Sequence, residues 1–212
     1  MPQLVDIPRP TLQRLPIYLR RLERAQQDGP QIVSSQELGQ AADVPAAQVR
    51  KDLSYLGELG RPGIGYDVNH VATVLAEFLG LQNDKDAILV GAGRLGSALA
   101  ADTGFERYGL RIVALFDNDP AKIGTTIADK QVFAIERLHD LVARLHIQIG
   151  VVTVPADQAQ AVVDAMVAAG IEVIWNFAPG RLRVPAHVLL ETEDLAARLA
   201  TLSYHITRRK VG

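Results

Sequence analysis

The stretch AILVGAGRLGSALAAD, residues 87–102, decides the fold. Four apolar residues run into a glycine-rich turn, and small and apolar residues at helical spacing follow. Gly91, Gly93 and Gly96 have the spacing GxGxxG. The first glycine permits a tight turn, the second lets the backbone approach a pyrophosphate, and the third allows the helix to pack closely on the strand. A lone GxGxxG is a weak signal, but here it follows a strand and opens a helix, as anion binding at a helix N-terminus requires. The next strand ends in Phe116-Asp117, and Asp117 stands 21 residues beyond Gly96, about where a carboxylate for a ribose 2′-hydroxyl is expected. The Asn118-Asp119-Pro120 that follows offers no arginine to a 2′-phosphate, so NAD(H) is favoured over NADP(H). Gly91, Ala92, Gly93, Arg94, Leu95, Gly96 and Asp117 are therefore the candidate cofactor contacts.

Beyond this stretch, β-rich runs at 111–116, 149–154 and 172–175 alternate with helical ones at 134–145 and 156–170. Continuous apolar strands separated by helices predict a parallel sheet covered on both faces. Ligands of such sheets lie at the carboxyl ends of the strands. Val154 and Pro155 after one strand, and Asn176 and Phe177 after another, are thus candidates to line a nicotinamide half. The other reading is that the prolines only end strands and Asn176 caps a turn. The closing TEDLAARLATLSYHI, 192–206, spaces Leu195, Leu199, Leu202 and Ile206 as one helical stripe with Thr192 as its cap, suited to its own sheet or to a second subunit.

Before residue 87 the texture changes across a polar linker at 79–87. Leu12, Leu15, Leu19 and Leu22 form a helical stripe, with Thr11 as cap, Pro16 near the first turns and Asp28-Gly29-Pro30 as the stop. Residues 33–68 read as helix, turn, helix and glycine-rich hairpin. Ser35 caps the first helix, Asp43-Val44-Pro45 makes the turn, and Ala46, Val49, Leu53 and Leu56 are the buried stripe of the second. The opposite face presents Gln48, Arg50, Lys51, Ser54 and Tyr55, donors suited to phosphates and base edges. Arg61 stands at the hairpin tip, where it can enter a narrow minor groove. Residues 1–80 hold eight Lys and Arg against nine Asp and Glu, so DNA binding rests on placement rather than bulk charge.

Composition narrows the chemistry. The 212 residues are 48% hydrophobic, carry a net charge of −2 and include no cysteine. Disulfides, thiolate catalysis and cysteine metal sites are excluded, and redox chemistry must come from a cofactor. No apolar run reaches membrane-spanning length, so a cytoplasmic protein is expected. The histidines share no local motif with a carboxylate or lysine, and the sheet region leaves little chain for a substrate pocket. The chain is therefore expected not to be an enzyme, with no catalytic or metal residues assigned. A small NAD-dependent oxidoreductase and a CoA-binding module are the alternatives; CoA would bring a phosphate to the ribose that Asp117 should hold through a free hydroxyl.

With both halves in view, the chain resembles the redox-sensing transcriptional repressors of the Rex family over nearly its whole length. The resemblance rests on RLPIYLRRL (14–22), SSQELG (34–39), QVRKDLSYLG (48–57), GIGY (63–66), GAGRLGSALA (91–100), FDNDPAKIG (116–124), TVP (153–155), NFAP (176–179) and LSY (202–204), in that order. It implies an α/β chain with an N-terminal winged helix-turn-helix domain at 1–80, a Rossmann-like parallel-sheet domain at 81–190 and a C-terminal interface helix at 191–212 swapped onto the partner of a homodimer. It also implies NADH and NAD+ as ligands and release of a palindromic operator when NADH binds. By position, Arg50, Lys51 and Ser54 resemble operator contacts, Arg61 the wing residue, and Arg20 and Asp194 a pair linking the DNA-binding domain to the swapped helix. The chain departs at Asp102, where many members carry a tyrosine; an acid cannot stack on a ring or donate the same hydrogen bond in the switch.

Overall fold

The structure, a computed structural model, describes residues 7–194 with 196, 197 and 199. Its chain divides into two compact units, Met1–Asn83 and Asp84–Gly212. Among the described residues no helix is long and apolar enough to cross a membrane.

The first unit comprises α1 (Arg9–Asp28), β1 (Ile32–Val33), α2 (Ser35–Ala42), α3 (Ala46–Ser54), β2 (Gly60–Arg61), β3 (Gly65–Asp67) and α4 (Val68–Phe78). The strands form an antiparallel sheet in the order β1-β3-β2, which makes the helix-turn-helix a winged one. Leu15, Tyr18, Leu19 and Leu22 of α1 pack with Leu38, Val49, Leu53, Val71 and Leu75. Leu12 of the expected stripe is 40% exposed, and Tyr18 is buried in its stead. Helix α1 starts at Arg9, so Thr11 is no cap: it lies inside the helix, buried, and donates to Asp52. Pro16 is the eighth helical residue, deeper than the first turns.

Helix α2 is capped by Ser34 rather than Ser35. Ser34 Oγ accepts from Glu37 N at 3.2 Å while Glu37 Oε2 accepts from Ser34 N at 2.7 Å, a reciprocal box that satisfies two helix-end donors. Asp43 takes a left-handed conformation at φ 53° and turns the chain into α3. At the wing tip, Ile64 N donates to Arg61 O at 3.1 Å around Pro62 and Gly63, and Gly63 has φ +74°. A turn with positive φ at that position selects glycine.

The second unit comprises β4 (Lys85–Val90), α5 (Arg94–Ala101), β5 (Leu110–Asp117), β6 (Thr126–Ile127), β7 (Lys130–Ala134), α6 (Leu138–Leu145), β8 (Ile149–Val152), α7 (Ala156–Ala168), β9 (Val173–Asn176) and β10 (Leu189–Thr192). The sheet order is β10-β9-β8-β4-β5-β7-β6, parallel except for the β6–β7 pair. From β4 the chain winds outward first through β5 and β7 and then through β8, β9 and β10, so the switch point lies between β4 and β8. Ile88, Val90 and Phe116 pack with Leu138, Val142, Val163 and Met166 of α6 and α7. Leu89, Ile112, Leu115 and Val151 form a second cluster with Ala100 of α5. Sheet pleat sends alternate residues to opposite faces, which is why both faces need helices.

Strands β6, β7 and β10 go beyond the sequence expectation. Thr192 does not cap the last helix; it ends β10, opposite Asn176. The cap is Asp194, whose Oδ1 accepts from Ala197 N at 2.8 Å, with Ala196, Ala197 and Leu199 helical. Leu195, Leu202, Ile206 and the LSY segment at 202–204, with the rest of the expected interface helix, lie outside the described residues.

Candidate functional site

The carboxyl ends of β4, β5, β8 and β9 open on one cavity of about 900 Å³ within the second unit. Gly91 and Gly93 line it, Gly96 is buried behind them, and the three differ in what surrounds them. Gly91 has φ +106°, and a Cβ there would lie 2.9 Å from the Thr153 backbone. A Cβ on Gly96 would be driven into the Gly91 carbonyl oxygen, with Thr153 Oγ1 at 2.8 Å and Leu89 at 2.9 Å behind it. Thr153 Oγ1 donates to Gly91 O at 2.8 Å and so straps the end of β8 to the turn after β4. Gly93 differs: it begins α5 with no side-chain cap, and a Cβ there would meet nothing within 4 Å. That open space beside an uncapped helix start fits a pyrophosphate.

Asp117, 7% exposed, ends β5 inside this cavity. Its Oδ2 accepts from Ala92 N at 2.8 Å and from Lys122 Nζ at 3.0 Å, and its Oδ1 accepts from Asp119 N at 2.9 Å. Burial pushes its ionisation upward, but the Asp119 N–H, the Lys122 ammonium and the Ala92 N–H outweigh that and hold the carboxyl below its ordinary range. An ionised acceptor with a lone pair still available on Oδ1 suits a ribose hydroxyl.

The expected site residues divide on inspection. Gly91, Gly93, Leu95, Asp117, Val154, Pro155 and Phe177 line the cavity. Ala92 is buried, and its N–H is committed to Asp117, so it shapes the site from behind. Arg94 is exposed at the start of α5. Asn176 is corrected: fully buried, it donates to Ala178 O and accepts from Ala178 N, both at 2.9 Å. It caps the turn after β9 and shows no surface to a ligand. The cavity also takes in Lys122, Ile135, Gln158 and Val162, which the glycine motif does not reach. Asp102 is exposed and caps the short 3-10 helix Thr103–Tyr108 through Gly104 N at 2.6 Å.

In the first unit, Arg50, Lys51 and Ser54 are exposed on α3 and Arg61 is exposed on β2. Arg50 Nη1 donates to Ser35 Oγ at 3.1 Å, and Ser54 Oγ to Lys51 O at 2.8 Å. Arg50, Ser54 and Arg61 border one groove with Ser34 and Ser35, so helix and wing present their donors together. Tyr55 is half-buried just past α3. Gln48 is corrected in part, because its Nε2 donates inward to Asp52 Oδ1 at 2.9 Å. Arg20 is exposed on α1.

Asp52, on the inner face of α3, was not legible as a key residue. It is fully buried and accepts from Thr11 Oγ1 at 2.9 Å, Arg14 Nε at 2.6 Å, Arg14 Nη2 at 2.8 Å and Tyr18 OH at 2.7 Å. The node fixes α3 against α1 and so sets how Arg50, Lys51 and Ser54 are presented.

The model of the family "CoA binding domain" matches residues 82–180, and that of the family "Putative DNA-binding protein N-terminus" matches residues 6–54. The chain is 43% identical to the redox-sensing transcriptional repressor Rex of Pelotomaculum thermopropionicum, covering 97% of each. It is 44% identical to that of Chloroflexus aurantiacus, covering 94% of each. Among solved structures, RSP in complex with beta-NAD+ and operator DNA matches with a TM-score of 0.91 at 38% identity, covering 98% of this chain and 95% of that one. RSP in complex with beta-NADH matches at 0.88 and 37%, covering 98% and 97%. Identity at this level over nearly the full length, together with a shared winged unit and nucleotide-type sheet, shows that the chain belongs to the Rex family of redox-sensing transcriptional repressors.

Proposed function

We propose that this chain binds NADH and NAD+ at the Gly91–Asp117 site, binds a palindromic operator through α3 and the wing as a homodimer, and leaves that operator when NADH binds. The observation that carries the nucleotide half is the Asp117 carboxylate, ionised and lining a cavity that Gly91, Gly93 and Leu95 also line. The relatives' solved complexes with beta-NAD+, beta-NADH and operator DNA support the same pairing of ligands. The domains are proposed as winged helix 1–80, NAD(H) domain from 81 and a swapped interface helix to 212, with the expected boundary at 190/191 moved past β10, which ends at Thr192. Access to both a chromosome and the NADH pool places the protein in the cytoplasm. Although one matching family model is named for CoA, Asp117 favours a ligand with a free ribose hydroxyl over one with a ribose phosphate.

Gly91 and Gly93 would hold the pyrophosphate and Asp117 the adenosine ribose, while Val154, Pro155 and Phe177 would line the nicotinamide half. An apolar wall disfavours the cationic ring of NAD+ relative to NADH, which gives the reduced form its advantage. Opposing a hundredfold change in operator affinity takes about 2.7 kcal/mol of coupling, and only a ligand with different affinities for the two arrangements supplies it. The test is operator binding titrated separately with NADH and NAD+. NADH is expected to release the operator at concentrations where NAD+ does not; equal effects of the two would remove the redox-sensing role.

Two substitutions separate the halves. Arg50→Ala is expected to lower operator affinity at least tenfold in a gel-shift titration while NADH binding is unchanged. Asp117→Ala is expected to weaken NADH at least tenfold by calorimetry and leave ligand-free operator binding intact.

A further inference from the structure

The loop after β5 carries a cation, Lys122, beside the Asp117 carboxylate. Lys122 Nζ lies 3.0 Å from Asp117 Oδ2 and 3.8 Å from Asp119 Oδ2, at the ribose end of the cavity. Its backbone is anchored: Lys122 N donates to Asp119 O at 2.9 Å, and Lys122 O accepts from Thr125 Oγ1 at 2.6 Å. An Asx turn, Ala121 N to Asp119 Oδ1 at 2.9 Å, precedes it. The ammonium is thus delivered to one place, and it is 37% exposed where Asp117 is 8% exposed at the side chain. It faces the ligand space more openly than the acid does. The absence of arginine after Asp117 is therefore not an absence of positive charge at this end of the cavity.

We propose that Lys122 sets the ribose selectivity of this site: paired with Asp117 it presents that carboxylate to the 2′-hydroxyl of NAD(H), and with the acid's charge removed it becomes the cation for the 2′-phosphate of NADP(H). This rests on the NAD(H) reading above. Carboxylate against hydroxyl and cation against phosphate are the two ways such sites discriminate, and here both groups are within a hydrogen bond of each other.

The experiment measures NADH and NADPH affinity by calorimetry on the full chain. Asp117→Asn loses the charge and keeps an acceptor for one of the two N–H groups, Ala92 N on Oδ2 or Asp119 N on Oδ1. It is expected to bind NADPH at least tenfold more tightly than the unaltered chain does, and adding Lys122→Gln is expected to cancel that gain. Lys122→Gln alone, which leaves both backbone hydrogen bonds to Asp117 in place, is expected to raise the NADH-over-NADPH preference at least threefold, and it serves as the readout should Asp117→Asn fold poorly. An NADPH affinity unmoved by Asp117→Asn, a gain that survives Lys122→Gln, or an unaltered preference in Lys122→Gln overturns the proposal. If the unaltered chain binds NADH and these shifts are missing, only the role of Lys122 falls; if it binds no NADH, the nucleotide reading falls with it.

Discussion

Asp52→Ala is expected to destabilise the winged-helix unit by about 3 kcal/mol in urea or thermal denaturation, and to abolish operator binding at temperatures where the unaltered chain is folded. Removing one partner of a buried ion pair costs about 3–5 kcal/mol because the other charge is left without compensation. The lower end applies here, since the Arg14 side chain is 18% exposed and can turn toward water. Tyr18, fully buried, cannot, and its hydroxyl would lose its acceptor. Asp52→Asn separates charge from shape: it keeps an acceptor in place and is expected to be the milder change. The same carboxyl makes the unit acid-sensitive. Burial pushes its ionisation upward, but hydrogen bonds from Arg14, Gln48, Tyr18 and Thr11 outweigh this and bring it from 3.8 to about 2. A carboxyl depressed in the folded state stabilises above its unfolded value, and that contribution, about 2 kcal/mol, is lost as pH falls from about 4 to about 2. Denaturation midpoints across that window should fall for the unaltered chain and flatten for Asp52→Asn. Equal slopes in the two would show that Asp52 is not the group responsible.

Gly96→Val is expected to remove measurable NADH binding and to destabilise the sheet unit by about 3 kcal/mol, the upper end of the usual cost of overpacking. The reason is backbone, not side chain. The Cβ would be pressed onto the Gly91 carbonyl oxygen, and that oxygen is held by Thr153 Oγ1 while Gly91 N donates to Phe116 O at 2.8 Å. To relieve the clash, α5 must back away from β4 or the turn must come loose from β5 and β8. Either movement shifts Gly93 and the start of α5, the proposed pyrophosphate site. Gly93→Ala is the control, because its Cβ meets no protein atom; it is expected to fold normally and lose affinity only through the ligand. Normal NADH binding by Gly96→Val would show that the third glycine is not needed for close packing here.

Much of the architecture could be read from local pattern. The strand, glycine turn and helix at 85–101, the acid at 117 and the succession of helix, turn, helix and wing all follow from signals confined to short windows. What escaped had causes in space. Ser35 stood beside the true cap, Ser34, although Ser34 and Glu37 already had the spacing of a capping box. Strand β10 hid because Leu189–Thr192 runs directly into the expected last helix, and only its parallel pairing with β9 makes it a strand. Asn176 is polar at the end of a strand, which is how a ligand contact and a turn cap both look in sequence; its two bonds to Ala178 decide for the cap.

The sequence by itself determined the parts that depend on backbone conformation and periodicity: where glycine must stand, which faces are apolar, and that a winged helix-turn-helix precedes a nucleotide-binding sheet. Those signals are local, and each residue's own steric limits carry them. Only the tertiary structure decided which polar groups meet. Asp52 and Arg14 are 38 residues apart, and Asp117 and Ala92 are 25 apart; nothing in either neighbourhood announces its partner. An electrostatic interaction depends on distance and burial, and both are properties of the folded chain. Asp52 is therefore the buried node that holds α3 against α1, and Lys122 stands against the Asp117 carboxylate.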